Sequence, residues 1–151
     1  MAPDAPAPFE AGVASIRYVE TSALLAALLE QDTSAKHALR VPARRLTSAL
    51  TGAEAHRAII RAQATGRLDA TQLRLVARAV HTFLARCDLV AVTDEVLARV
   101  GRPFPMEPIR TLDAIHLATA ELLGGPPALI TIVTRDARVR ENALRMGYHV
   151  A

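Results

Sequence analysis

The chain has 151 residues, a formal net charge of +3 and a sequence pI of about 9.7, with 51% hydrophobic but only 3% aromatic residues. One domain is expected, with a core of Ala, Leu, Val and Ile because Trp is absent. Cys87 is the single cysteine, which excludes an internal disulfide and suits a reducing cytoplasm, and no apolar stretch approaches the roughly 20 residues that cross a bilayer.

Residues 1–14, with Pro3, Pro6 and Pro8, read as a flexible lead-in, and Met1-Ala2-Pro3-Asp4 does not read as a secretory signal. A first strand is expected over 15–19, followed by a helix capped by Ser22 and a short one capped by Asp32 or Thr33. A second strand over about 44–49 leads through Thr51 and Gly52 into a helix that Gly66 ends. Leu73, Val76, Ala77, Val80, Phe83 and Leu84 then repeat at the spacing of one buried helix face. A third strand from Cys87 to Val92 precedes a helix near 95–100. Pro103, Pro105 and Pro108 forbid regular helix over the next segment. Leu112–Leu123 is apolar around most of its circumference, as a helix between other layers would be. A fourth strand (128–133), a helix (about 136–146) and a last strand at 148–150 complete the pattern. Strands alternating with helices imply an α/β domain over 15–151, a parallel sheet of about five short strands covered on both faces.

Four acids fall where strands hand over to helices: Glu20, Glu54, Asp113 and Asp136. Each has an ordinary explanation. Thr51-x-x-Glu54 matches a capping box, Glu54 and Arg57 stand at i,i+3 spacing, and Asp113 and Asp136 suit helix N-termini. Capping does not explain why Glu20 and Asp136 follow directly from apolar strands. In a parallel sheet, ligands lie beyond the carboxyl ends of the strands, and acids gathered there from separate segments repel unless a cation lies between them. Thr21, Ser22 and Thr134 supply hydroxyls able to orient the carboxylates or bound water. His116, three residues after Asp113, is expected to be buried and bonded to backbone, and Cys87 to serve packing. Lys36 is the one lysine among 18 basic residues, and the planar arginine fork suits phosphate. Arg135, Arg138 and Arg140, beside Asp136, are the candidate nucleic-acid contacts. Arg74, Arg78 and His81 form a further stripe that reads as solvated surface.

These motifs resemble those of PIN domains, the metal-dependent nuclease fold of VapC-type toxins. Tyr18-Val19-Glu20-Thr21-Ser22 is similar to the opening motif, and Ser48, Thr51 and Glu54 to the second acidic segment. Arg110-Thr111-Leu112-Asp113-Ala114-Ile115-His116-Leu117-Ala118 is similar to the central motif, and Thr131–Asp136 with Gly147-Tyr148-His149-Val150 to the closing one. The resemblance implies a PIN-like three-layer α/β/α fold and an endoribonuclease that leaves a 5′-phosphate. It also implies Mg²⁺ or Mn²⁺ held by Glu20, Asp113 and Asp136, with Glu54 a ligand or water-mediated contact. A cognate VapB-like antitoxin and a homodimer are the implied partners, with RNA as substrate and no membrane. One departure stands out: the family's first acid is ordinarily Asp, whereas position 20 is Glu. A shifted ligand pose, a more forgiving ion such as Mn²⁺, or impaired hydrolysis follow as alternatives, the last leaving a PIN-fold binding module. A receiver-like or phosphatase domain fits less well, because no Asp-x-Asp pair follows a strand and no lysine follows Lys36.

Overall fold

Five short strands pair throughout in parallel, in the order β3-β2-β1-β4-β5, in the computed structural model, which describes residues 15–151. The lead-in expected over 1–14 lies outside the described residues. The described residues start in the middle of the sheet with β1 (Ile16–Val19), then lay helices α1 (Thr21–Leu29) and α2 (Thr33–Arg40) before β2 (Arg44–Ser48). Helices α3 (Leu50–Ala64) and α4 (Ala70–Leu84) lead to β3 (Asp88–Val90) at one edge. After α5 (Asp94–Val100) and α6 (Thr111–Glu121) the chain crosses to the other side of β1 for β4 (Ile130–Val133), α7 (Ala137–Arg145) and β5 (His149–Val150). The strand order therefore reverses between β1 and β4, the place where an open parallel sheet forms a ligand crevice.

Side-chain alternation along β1 and β4 separates two cores. Ile16, Tyr18, Ile130 and Ile132 pack with Ile115, Leu117, Val139 and Tyr148 against α5, α6 and α7. Val19 and Val133 face the other way, onto Ala23 of α1 and Ala38 of α2. Leu24 of α1 then meets Ala55 and Ile59 of α3 and Val80 of α4 in an adjoining cluster. The small side chains of Ala23, Ala26, Ala27, Ala35 and Ala38 let α1 and α2 approach closely, which a core poor in aromatics requires. This is the expected α/β arrangement with helices on both faces.

Several local expectations need correction. Glu20, not Ser22, caps α1, its side chain accepting from the Ser22 backbone N–H. Helix α3 begins at Leu50, so Thr51 lies inside it and its hydroxyl meets that of Thr47 at 2.7 Å; the Thr51–Glu54 capping box does not form. A true capping box, unforeseen, joins Asp69 and Gln72 at the start of α4. β3 is shorter than the apolar run from Cys87 suggested, and a 3-10 turn at Pro127–Leu129 takes the first residues assigned to β4. Among the described residues no helix is long and apolar enough to cross a membrane.

Candidate active site

The registers bring the chemistry together. Val19 of β1 lies opposite Val133 of β4, so Glu20 and Thr134 emerge side by side at the carboxyl end of the switch point. Glu20 N–H donates to the Val133 carbonyl at 2.9 Å. The Glu20 carboxylate then curls back over its own helix start. Oε1 accepts from Ser22 N–H at 3.0 Å, while Oε2 accepts from the Ser22 hydroxyl and from Thr134 Oγ1, the latter at 2.7 Å. The methylene that distinguishes Glu from Asp supplies the length for this turn. Ser22 Oγ in turn receives the backbone N–H groups of Arg135 at 2.8 Å and Asp136 at 3.1 Å, tying the start of α1 to the β4–α7 junction.

Asp136 divides its two oxygens. Oδ1 caps α7 through the N–H groups of Arg138 (2.8 Å) and Val139 (3.0 Å), and Oδ2 accepts from Arg110 Nη2 at 2.8 Å. Asp113, in the first turn of α6, accepts from Arg110 Nε at 2.7 Å. One guanidinium thus bridges two acids 23 residues apart in sequence. Both aspartates raise the pKa of Arg110, the Asp113 hydrogen bond most, and Glu20 adds to the negative field. The Arg110 side chain is 77% exposed, so each pair contributes only about 0–1 kcal/mol. Its backbone is better fixed. Buried Asn142 accepts from Met106 N–H and donates to Met106 O, while the Glu107 carboxylate accepts from Phe104 and Ile109 N–H. These bonds hold the proline-containing loop on α7 and present Arg110 at its end.

Glu54 occupies a third arrangement. Its Oε1 accepts from Thr21 Oγ1 at 2.8 Å and from His116 Nε2 at 2.6 Å. An ionised carboxylate can only accept, so the ring proton sits on Nε2 and Nδ1 accepts from the Tyr18 hydroxyl at 2.9 Å. Burial, the largest cause, pushes the Tyr18 phenol far above its ordinary pKa, so it acts as a neutral donor. His116 is buried as expected, but its bonds are to side chains rather than backbone.

The four acids do not form one ready cage: among the described residues no group of three or more Asp, Glu, His or Cys stands in ion-holding geometry. The reason is visible in the bonds. Hydroxyls engage Glu20, Thr21 and His116 engage Glu54, and the positive centre between Asp113 and Asp136 is an arginine. The donor set still suits a hard divalent ion, since all four are carboxylates and two of them already share one positive charge.

A cleft of about 510 Å³ is lined by Arg110, Asp113, Asp136, Arg138 and Glu141. Of the candidate phosphate contacts, Arg138 lines this cleft, whereas Arg140 lines a neighbouring hollow with His37 and Ala151. Arg135 is committed to Asp32 Oδ2 at 3.4 Å and Ser34 Oγ at 2.9 Å. Cys87 is half-buried, its thiol pushed up to about 11 chiefly by burial. A larger groove, about 660 Å³, runs away from the acids between α1, α2 and α4. Leu28, Leu39, Leu75 and Phe83 line it together with Lys36, Arg40, Arg45, Arg78 and Arg86, with no acid among its lining residues. Sequence reasoning missed Arg110 and Asn142 as site-building residues; only the spacing Arg110-x-x-Asp113 hinted at the first.

Comparisons with known proteins find relatives over most of the chain. The pattern of the PIN domain family matches residues 17–144. Ribonuclease VapC35 of Mycobacterium tuberculosis is 38% identical over 130 residues, 83% of this chain and 88% of that protein. Ribonuclease VapC46 of the same species is 36% identical over 135 residues, 88% and 94% respectively. Among solved structures, DNA-bound VapBC from Salmonella typhimurium superposes with a TM-score of 0.60 at 11% identity, covering 91% of this chain and 97% of that one. PAE2754 from Pyrobaculum aerophilum gives 0.59 at 20% identity, covering 92% and 94%.

Proposed function

Because this chain belongs to the PIN domain family, we propose that it is a metal-dependent endoribonuclease, the toxin of a VapBC-type toxin–antitoxin pair. The observation that carries this reading is the convergence of Asp113 and Asp136, from separate elements, on one positive charge at the sheet's switch point. Residues 15–151 form the nuclease domain. Asp113 and Asp136 are the principal holders of Mg²⁺ or Mn²⁺, with Glu20 and Glu54 completing the acidic surroundings. When bound, such an ion lowers the pKa of water and offsets charge on the phosphodiester.

The chain's own residues do the rest. Thr21 and His116 fix the Glu54 carboxylate so that its second oxygen can orient the attacking water. Ser22 and Thr134 hold Glu20 and, through Ser22 Oγ, the backbone of Asp136. Arg138 faces the cleft and is placed to meet RNA phosphate, with Arg140 further along; Arg135 braces the β4–α7 junction against α2.

The relatives are named ribonucleases and several structural neighbours are titled VapBC complexes, which supports RNA as substrate and a VapB-like antitoxin as partner. The basic-sided apolar groove suits an acidic amphipathic segment of that antitoxin. A homodimer and a cytoplasmic location are proposed on the family resemblance.

The test is purified protein on total RNA with Mg²⁺, Mn²⁺ or EDTA, beside Asp113→Asn and Asp136→Asn. Metal-dependent cleavage lost in both variants supports the reading; identical digestion by all three proteins defeats it. A second reading, a weak or silent binding module, draws on the Glu20 carboxylate being engaged by Ser22 and Thr134. Restoration of cleavage by Glu20→Asp in an otherwise inactive protein selects that alternative.

A further inference from the structure

We infer that Arg110 occupies the Asp113–Asp136 pair whenever no divalent ion is bound, and that guanidinium and ion exchange at that position. The inference rests on the proposed metal role of the two aspartates. Arg110 Nε and Nη2 reach one oxygen of each carboxylate, at 2.7 and 2.8 Å. A fork with two donors in one plane can satisfy both acids at once, as a single ammonium cannot. The same oxygens cannot serve the guanidinium and a dication together, because like charges at contact distance repel.

The surroundings allow exchange by side-chain motion alone. Asn142, Glu107 and the stacking of Arg99 over Phe104 (4.0 Å) restrain the loop before Arg110. The Arg110 side chain itself is 77% exposed, so it can swing into solvent. Two consequences follow. The acids are kept from repelling one another in the metal-free protein, and apparent metal affinity is lowered by the fraction of molecules in which Arg110 is in place.

Mn²⁺ titration by calorimetry, on the full chain, tests this with wild type, Arg110→Ala, Arg110→Lys, Arg138→Ala and Asp113→Asn. Arg138 lines the same cleft but makes no side-chain ion pair among the described residues, so its removal controls for charge. Arg110→Ala should bind Mn²⁺ about three- to tenfold more tightly than wild type, and Arg138→Ala within about twofold. The advantage should shrink in about 0.5 M KCl, and metal-free Arg110→Ala should melt below wild type. Equal or weaker binding by Arg110→Ala, or the same gain from Arg138→Ala, overturns the exchange while leaving the metal reading intact. No Mn²⁺ binding by wild type and Arg110→Ala alike defeats both. Should Arg110→Ala not fold, Arg110→Lys decides: binding no tighter than wild type overturns the exchange.

Discussion

His116 Nε2 stands 2.6 Å from Glu54 Oε1, joining helices whose contacting residues are 62 apart in sequence. Through Nδ1 the same ring accepts from Tyr18, so one buried imidazole links the middle of β1 to an acid of the site. His116→Ala leaves a cavity and strands the Tyr18 hydroxyl, and should cost about 2–4 kcal/mol in urea unfolding. Tyr18→Phe removes only the donor to Nδ1 and should cost about 1–3 kcal/mol. Glu54→Gln keeps an acceptor for Nε2–H, so unfolding should change by under about 1 kcal/mol while metal-dependent cleavage collapses. A Glu54→Gln protein with full cleavage would remove Glu54 from the chemistry.

Glu20→Asp tests the departure from the usual first acid. Shortening the side chain preserves an N-cap acceptor but withdraws it from Thr134 Oγ1, now 2.7 Å away across the β1–β4 junction. The loss of one charge-assisted bond should lower stability by about 1–2 kcal/mol. Cleavage should persist in Glu20→Asp and disappear in Glu20→Ala, read as initial rates on one RNA at saturating Mn²⁺. Thr134→Val removes the same bond from the other side, so its effect on stability should not add to that of Glu20→Asp. Full additivity would show that the two residues act apart.

What the sequence made legible was whatever depends on neighbours along the chain. Ile16–Val19 and Ile130–Val133 read as buried strands, and the acids directly after the first (Glu20) and three residues past the second (Asp136) could be placed at the sheet's end before any fold was known. The α4 face was equally plain because Leu73, Val76, Val80, Phe83 and Leu84 keep one period. The capping-box spacing of Thr51-x-x-Glu54 misled: α3 starts at Leu50, two residues before a Thr51 cap would start it, and the Thr51 hydroxyl turns to Thr47 instead. Arg110 bonds an acid 26 residues away, and Tyr18 and His116 are separated by 98. No local pattern encodes such pairs; the sheet register creates them. That register also turned an expected cage of four carboxylates into three separately compensated groups.

Asn142 carries a prediction that touches the site from a distance. Its amide answers both the N–H and the carbonyl of Met106, at 2.8 and 3.0 Å, from a fully buried position on α7. Asn142→Leu leaves two backbone polar groups unanswered and should cost about 2–4 kcal/mol. Hydrogen exchange should rise across 102–110 more than in the sheet. Unchanged protection there would mean that Glu107 and the Arg99–Phe104 stack hold the loop alone.

Asp32 supplies the pH dependence. The Ala35 N–H first, then the Ser34 hydroxyl, hold its carboxyl down to about 2 from the model-compound value of 3.8. A depressed folded value means that the ionised cap stabilises the fold fully above the unfolded value and fades as pH falls through the folded one. The window is therefore between about 4 and about 2. Asp32→Asn keeps an acceptor for the Ala35 N–H but cannot titrate. Acid unfolding followed by circular dichroism should then be shallower across that window than in wild type, with the two proteins closest at the acid end. Since Asp32 also receives Arg135, the variant should loosen the β4–α7 junction at neutral pH, seen as faster exchange of the Arg135 and Asp136 amides. Identical acid profiles would show that the Asp32 cap contributes nothing to the acid sensitivity of this fold.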